Sequence, residues 1–139
     1  MIPALTADGV LPKGEHPATW EEFRDRFCTS EQRRIIFSRL LPALEHLRDA
    51  SVTVVWIGGS LVTDRDTPSD FDLCFPVEEP ELAKLDPTLL SLKKSAIHAR
   101  FGGDMFPTHP VGLDFRTFFS RDRDGRPVGT VRLGLNTIP

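Results

Sequence analysis

The apolar pattern of this chain changes from a helical period to a strand period near residue 51, and this change constrains the fold more than any other feature. The segment SVTVVWI, residues 51–57, is β-branched and almost wholly apolar, as in a central strand that is covered on both faces. The segment DFDLCF, residues 70–75, alternates polar and apolar residues, so its two aspartates are predicted to share one face. The chain is therefore expected to contain neighbouring strands of a sheet.

Helices are expected both before and after these strands along the chain. Thr19 and Glu22 fit a capping box that begins a short helix. A second helix is expected from Thr29 or Ser30, and Pro42 should kink or split it. The remaining predicted elements are a short helix over 79–85, a helix from about 87 to 100, a strand over 112–119, a turn over 122–127 and an edge strand over 129–135.

Length and composition indicate one domain of ordinary globular character. The chain has 139 residues, of which 40% are hydrophobic and 27% are charged. The prolines and glycines of residues 1–18 exclude a long helix there, so these residues are expected to form an extended arm and residues 19–139 a single domain. The predicted fold is α/β, a small mixed β-sheet with helices mainly on one face.

Charge and apolar run length argue against several classes of partner. The net charge of −3 gives no basic face for a generic grip on nucleic acid, so no extended DNA-binding surface is expected. No stretch approaches the length of a membrane span, and the N-terminus lacks the pattern of a secretory signal, so a cytoplasmic location without a membrane partner is expected. The two cysteines lie far apart and are expected to stay reduced there.

The carboxylates of the second strand suit a hard cation. Asp70 and Asp72, at i and i+2 on one strand, project in the same direction, and their oxygens can share Mg²⁺ or Mn²⁺. Asp114, in the later alternating segment GLDFRTFF, would add a third carboxylate from a neighbouring strand and take the proton of an attacking hydroxyl. The alternatives are a solvated strand end for the pair and an ion pair with Arg116 for Asp114.

The glycines before these carboxylates suit a phosphate. Gly58 and Gly59 have no Cβ atoms, so their backbone N–H groups can approach phosphate oxygens closely, and the Ser60 hydroxyl can add a hydrogen bond. Arg116 either contacts the triphosphate or neutralises the acidic cluster. These three residues and Arg116 are therefore the predicted nucleotide-binding set.

Two basic residues of the predicted helix over 87–100 are further candidates. Lys94 and His98 stand at i and i+4 and could reach a substrate, although charge on such a helix usually marks a solvated face. The phenylalanines near the end of the chain are more typical of a core than of a base-stacking platform.

The run GGSLVTDRDTPSDFDL resembles the signature of the nucleotidyltransferase superfamily that includes DNA polymerase beta, kanamycin nucleotidyltransferase and the bacterial minimal nucleotidyltransferases. That signature pairs Gly-Ser with Asp-x-Asp about ten residues later and adds a third acidic residue on a later strand. The resemblance assigns phosphate binding to Gly59 and Ser60, and metal binding and catalysis to Asp70, Asp72 and Asp114. It also implies the polymerase-beta-like fold.

The resemblance extends beyond the signature and also departs from it. The opening PALTADGVLPKGEHPATWEEF and the close RDRDGRPVGTVRLGL are similar to those of small bacterial proteins of that superfamily. Small nucleotidyltransferases often carry a glycine four residues after the serine, where this chain has Asp64. Asp64 and Asp66 have no counterpart in the signature, so they are expected to be solvated loop residues.

The activity implied by the resemblance is a Mg²⁺- or Mn²⁺-dependent transfer of a nucleoside monophosphate from an NTP, such as ATP, to an acceptor hydroxyl on a protein or RNA. The acceptor is expected in trans, as in a toxin–antitoxin or defence pair. The chain has no tyrosine, so it cannot modify itself on that residue. Two alternatives stay open, a non-catalytic nucleotide- or partner-binding module with the same fold and a metal-dependent nuclease.

Overall fold

The computed structural model describes residues 1–108 and 124–139 of the chain as a mixed α/β arrangement. The described residues form five strands and three α-helices, namely β1 Gly14–Ala18, α1 Trp20–Phe27, α2 Glu31–Asp49, β2 Val54–Gly58, β3 Asp72–Pro76, α3 Lys94–Phe101, β4 Asp104–Thr108 and β5 Gly129–Gly134. Short 3-10 helices lie at Gly59–Val62, Pro87–Leu90 and Leu135–Thr137. The strand order is β1-β5-β2-β3-β4, with β1–β5 and β3–β4 parallel and the other pairs antiparallel. The prediction of a small mixed α/β fold is confirmed.

The helix starts follow the capping residues of the sequence. The Thr19 hydroxyl accepts a hydrogen bond from the N–H of Glu22 at 3.2 Å, as the capping-box pattern predicts. The Glu22 carboxylate instead accepts from the backbone N–H of Ile2 at 3.0 Å. One residue pair therefore both starts α1 and ties the N-terminal segment to it.

α2 is continuous across its internal proline. The helix runs from Glu31 to Asp49 and contains Pro42, so the expected split does not occur. Proline removes one backbone hydrogen bond of the helix. Leu40 before the proline and Ala43 and Leu44 after it are buried in the core, and this packing holds the helix together on both sides of the proline.

The two faces of the sheet are those predicted from the alternation in β3. Leu73 and Phe75 belong to the main core, to which α1, α2 and α3 all contribute buried side chains. Cys74 packs with Trp56 in a second cluster on the opposite face. Asp72 lies two residues before Cys74 and shares its face.

Other predicted elements differ from the structure. β5 is not an edge strand, because residues 14–18 of the expected arm form β1 along its outer side. Residues 79–85 form turns rather than a helix. The long helix expected over 87–100 is interrupted, since a 3-10 helix is followed by Leu92 with a φ of +59° before α3 begins. The predicted strand over 112–119 lies outside the described residues.

A buried arginine fixes the loop between the Gly-Ser pair and β3. Arg33 is 4% exposed, and each of its terminal nitrogens serves two backbone carbonyls. The acceptors are the carbonyl oxygens of Phe27, Leu61, Thr63 and Arg65, at 3.1, 2.8, 2.7 and 2.7 Å. Burial lowers the pKa of Arg33, and the charges of Asp64 and Asp66 oppose that shift. Both aspartates are exposed, as predicted, yet they also provide the negative charge near this cation.

We expect Arg33→Met to lower the free energy of unfolding by about 3 kcal/mol, because it leaves buried carbonyls without donors. Urea unfolding followed by circular dichroism measures the loss. Arg34→Met is the matched control, since Arg34 is the neighbouring exposed arginine, and it should change the value by about 0.5 kcal/mol or less. Equal losses in the two variants would contradict the assignment.

Candidate functional site

Two carboxylates from adjacent strands meet at one end of the sheet. In the parallel β3–β4 pair the Cα of Asp72 is in register with that of Asp104. Asp104 is 8% exposed, and the Nζ of Lys94 lies 3.3 Å from its Oδ2. The other oxygen, Oδ1, is buried and has no hydrogen-bond partner among the residues that the structure describes. Sequence reasoning did not select Asp104, which takes the place beside Asp72.

Two glycines bring Asp104 to this position. Gly102 ends α3 in the left-handed conformation, with a φ of +85°. A Cβ on Gly103 would overlap the ring of Phe71, so glycine is required for the close approach of the turn to that ring. The N–H of Asp104 then donates to the carbonyl of Phe71 at 3.0 Å. The pair Gly-Gly before Asp104 was the available sequence signal, since it marks a helix end directly followed by a strand.

The contact between the two carboxylates changes the protonation of Asp72. The pKa of Asp72 is raised from 3.8 to about 7, mainly by burial and further by the hydrogen bond and negative charge of Asp104. Lys94 lowers this pKa and Asp70 raises it, both by smaller amounts. A proton on Asp72, hydrogen-bonded to Asp104, therefore relieves the repulsion between the two side chains near neutral pH.

Gly59 lies directly under the Asp72 carboxylate. Its φ is +72°, and a Cβ at this position would overlap Oδ2 of Asp72. Gly58, the last residue of β2, pairs with Asp72 across the antiparallel β2–β3 ladder. The predicted phosphate-binding backbone and the predicted metal-binding carboxylate are therefore in contact.

Asp70 has different partners from Asp72, although the two residues are close in sequence. Oδ2 of Asp70 lies 2.8 Å from Nε2 of His98, and Oδ1 lies 4.0 Å from Nη1 of Arg39. Asp70 lies two residues before β3 begins, so the alternation of side chains along the strand does not determine where its side chain points. Its charge is nevertheless close enough to raise the pKa of Asp72.

Of the remaining predicted site residues, Ser60 lies within the part of the chain that the structure describes. Ser60 lies in the 3-10 helix after Gly58, and its carbonyl accepts from the N–H and the hydroxyl of Thr63. Asp114 and Arg116 lie outside the described residues. Within residues 1–108 and 124–139, no group of three or more histidine, cysteine or acidic side chains is arranged to hold a metal.

A comparison of the sequence with known families gives a match over residues 3–134, to the family described as a family of unknown function, DUF6932. The chain belongs to this family. No curated protein and no solved structure matches this DUF6932 chain. In the described ranges no helix combines the length and apolar character that crossing a membrane requires.

We expect Asp72→Asn to stabilise the DUF6932 domain in EDTA at pH 8 by about 1–3 kcal/mol. Between the unfolded value of 3.8 and the folded pKa of about 7, the folded state binds the extra proton, so stability falls as pH rises through this range. The gain should therefore shrink at pH 5. Urea unfolding at both pH values measures it, and Asp8→Asn, an exposed aspartate, should show no such pH dependence.

We expect Gly59→Ala to lower the free energy of unfolding by about 2–4 kcal/mol, since it adds a clash to the strain of a left-handed backbone. Gly125→Ala is the matched control. Gly125 has a similar φ of +77°, but no described atom lies within 4 Å of its added Cβ. It should lose only about 1 kcal/mol. A loss in Gly59→Ala no larger than in Gly125→Ala, measured by urea unfolding, would rule out the contact with Asp72.

Proposed function

We propose that this protein is a divalent-metal-dependent nucleotidyltransferase with a polymerase-beta-like fold. The observation that carries the proposal is the contact of the Asp72 carboxylate with Gly59 on one side and Asp104 on the other. The two carboxylates could bind a cation, and the accessible backbone of Gly59 beside them could bind a phosphate. Transfer of a nucleoside monophosphate from an NTP needs both at the same point.

Two of the described carboxylates support the proposal of a bound hard cation. Mg²⁺ is commonly held by one or two carboxylates together with substrate phosphates, and Asp72 with Asp104 provides such a pair. The buried Oδ1 of Asp104 lacks a hydrogen-bond partner among the described residues, and a bound cation would compensate for its burial. Bound there, Mg²⁺ or Mn²⁺ would neutralise phosphate charge and lower the pKa of an acceptor hydroxyl.

The protein's own groups divide the other tasks. Gly59 and Ser60 offer backbone N–H groups and a hydroxyl to phosphate oxygens. Asp70, at the mouth of the same site beside His98, adds negative charge for the cation. Asp114 remains the proposed base for the acceptor hydroxyl, supported by the resemblance of GLDF to the third acidic motif. Catalysis would consist mainly of positioning and charge neutralisation.

The test is transfer of label from α-labelled ATP, GTP, CTP or UTP to protein or RNA of a cell lysate, with Mg²⁺ or Mn²⁺. The wild type should transfer label, and Asp72→Asn and Asp104→Asn should each lower the rate by at least about 100-fold. Asp66→Asn is the control, because Asp66 is an exposed aspartate of the preceding loop and should retain most of the rate.

Asp114→Asn in the same assay tests the proposed base, and it should also lower the rate strongly. A wild type that binds neither NTP nor metal by calorimetry would overturn the proposed function.

A second candidate is a non-catalytic nucleotide- or partner-binding module with the same fold. It is favoured by the partners of Asp70, which contacts His98 and Arg39 rather than joining Asp72 and Asp104 in a described three-ligand group. Thermal unfolding separates the candidates. An NTP alone that raises the melting temperature equally in wild type and Asp72→Asn indicates the binding module, whereas metal-dependent stabilisation lost in Asp72→Asn indicates the enzyme.

A further inference from the structure

One face of α3 supplies a basic partner to each side of the acidic site. Nζ of Lys94 lies 3.3 Å from Oδ2 of Asp104, and Nε2 of His98 lies 2.8 Å from Oδ2 of Asp70. Lys94 and His98 are separated by one helical turn, so they project from the same side of the helix. These two side chains therefore lie directly beside the carboxylates that are proposed to bind the metal.

The start of α3 is unfavourable as a helix end. Lys94 is its first residue, and Lys93 at the N-cap makes no side-chain capping hydrogen bond. Positive charge at this end opposes the helix dipole, and acidic residues are absent from the first turn. Leu92 just before it has a φ of +59°, which is strained for a residue with a side chain. Such local conflicts are typical of functional segments.

The Lys94 contact is readily reversible. The Lys94 side chain is 71% exposed, while the side chain of its partner Asp104 is 12% exposed. The flexible lysine side chain can therefore move away, whereas the buried carboxylate cannot. His98 is likewise 45% exposed. A divalent cation at Asp72 and Asp104 would repel the ammonium group, whereas the phosphates that accompany that cation would attract it.

We propose that Lys94 is an exchangeable counter-ion of Asp104, and that Lys94 and His98, which contacts Asp70, move to the triphosphate of the nucleotide when metal and NTP bind. This inference rests on the proposed function and names phosphate-binding residues for the same site. Lys94 carries most of the effect because it faces the buried carboxylate. No change in the backbone of α3 is required, since both side chains already contact acids of the site.

The test measures binding rather than turnover in three full-length variants, Lys94→Met, Lys94→Arg and Lys93→Met. In Lys94→Met, calorimetry with Mn²⁺ alone should show metal affinity about fivefold higher, because the competing charge is gone. Affinity for non-hydrolysable NTP analogues with Mg²⁺ should be about tenfold lower, because a charge-assisted hydrogen bond to phosphate is lost. Lys94→Arg, which keeps the charge, should retain nucleotide affinity within about threefold.

Lys93→Met is the matched control, because Lys93 is the adjacent exposed lysine and forms no ion pair among the described residues. It should leave both affinities within about twofold of wild type. Thermal unfolding of each variant checks that it is folded. If the wild type binds both ligands but Lys94→Met behaves like Lys93→Met, or loses metal affinity, the proposed exchange of counter-ions is wrong. The proposed function would still stand in that case. A wild type that binds neither ligand overturns both.

Discussion

The contact of the Asp72 carboxylate with the backbone of Gly59 is the constraint on which the rest of the site depends. It requires a left-handed glycine directly after β2, and it places the carboxylate at the start of β3, which pairs with β2 in an antiparallel ladder. Asp104 then joins from the parallel side, because β4 pairs with β3 in register at these two residues. The two strands that flank β3 therefore each contribute to the site, β2 through the glycines at its end and β4 through Asp104.

The crowding of four aspartates between residues 64 and 72 is tolerated because each pair has its own source of compensation. Asp64 and Asp66 lie near the buried guanidinium of Arg33. Asp70 has a basic neighbour on α3, and Asp72 holds a proton near neutral pH, since burial and Asp104 raise its pKa to about 7. Separate partners thus offset most of the repulsion between these aspartates. The remaining repulsion is between Asp72 and Asp104.

Local patterns predicted the elements that depend on local physics. The Thr19 cap, the strands around Trp56 and Cys74, and the two faces of β3 all follow from side-chain chemistry and strand periodicity. The predictions that were wrong concern segments governed by distant contacts. β5 is not an edge strand, because residues 14–18 pair along its outer side. Of the two outcomes expected at Pro42, a kink or a split, the split does not occur, because buried neighbours hold α2 together.

The sequence by itself determined that Gly59, Ser60, Asp70 and Asp72 fall at the ends of two neighbouring strands, because strand period and glycine chemistry act over a few residues. The tertiary structure decided which acids share an environment. It selected Asp104, which no short motif contains, because a parallel register between β3 and β4 is set by the turn after α3 and by packing. It also brought Lys94 and His98 to the acids, because only helix packing against the sheet fixes the side of a helix that faces a distant strand.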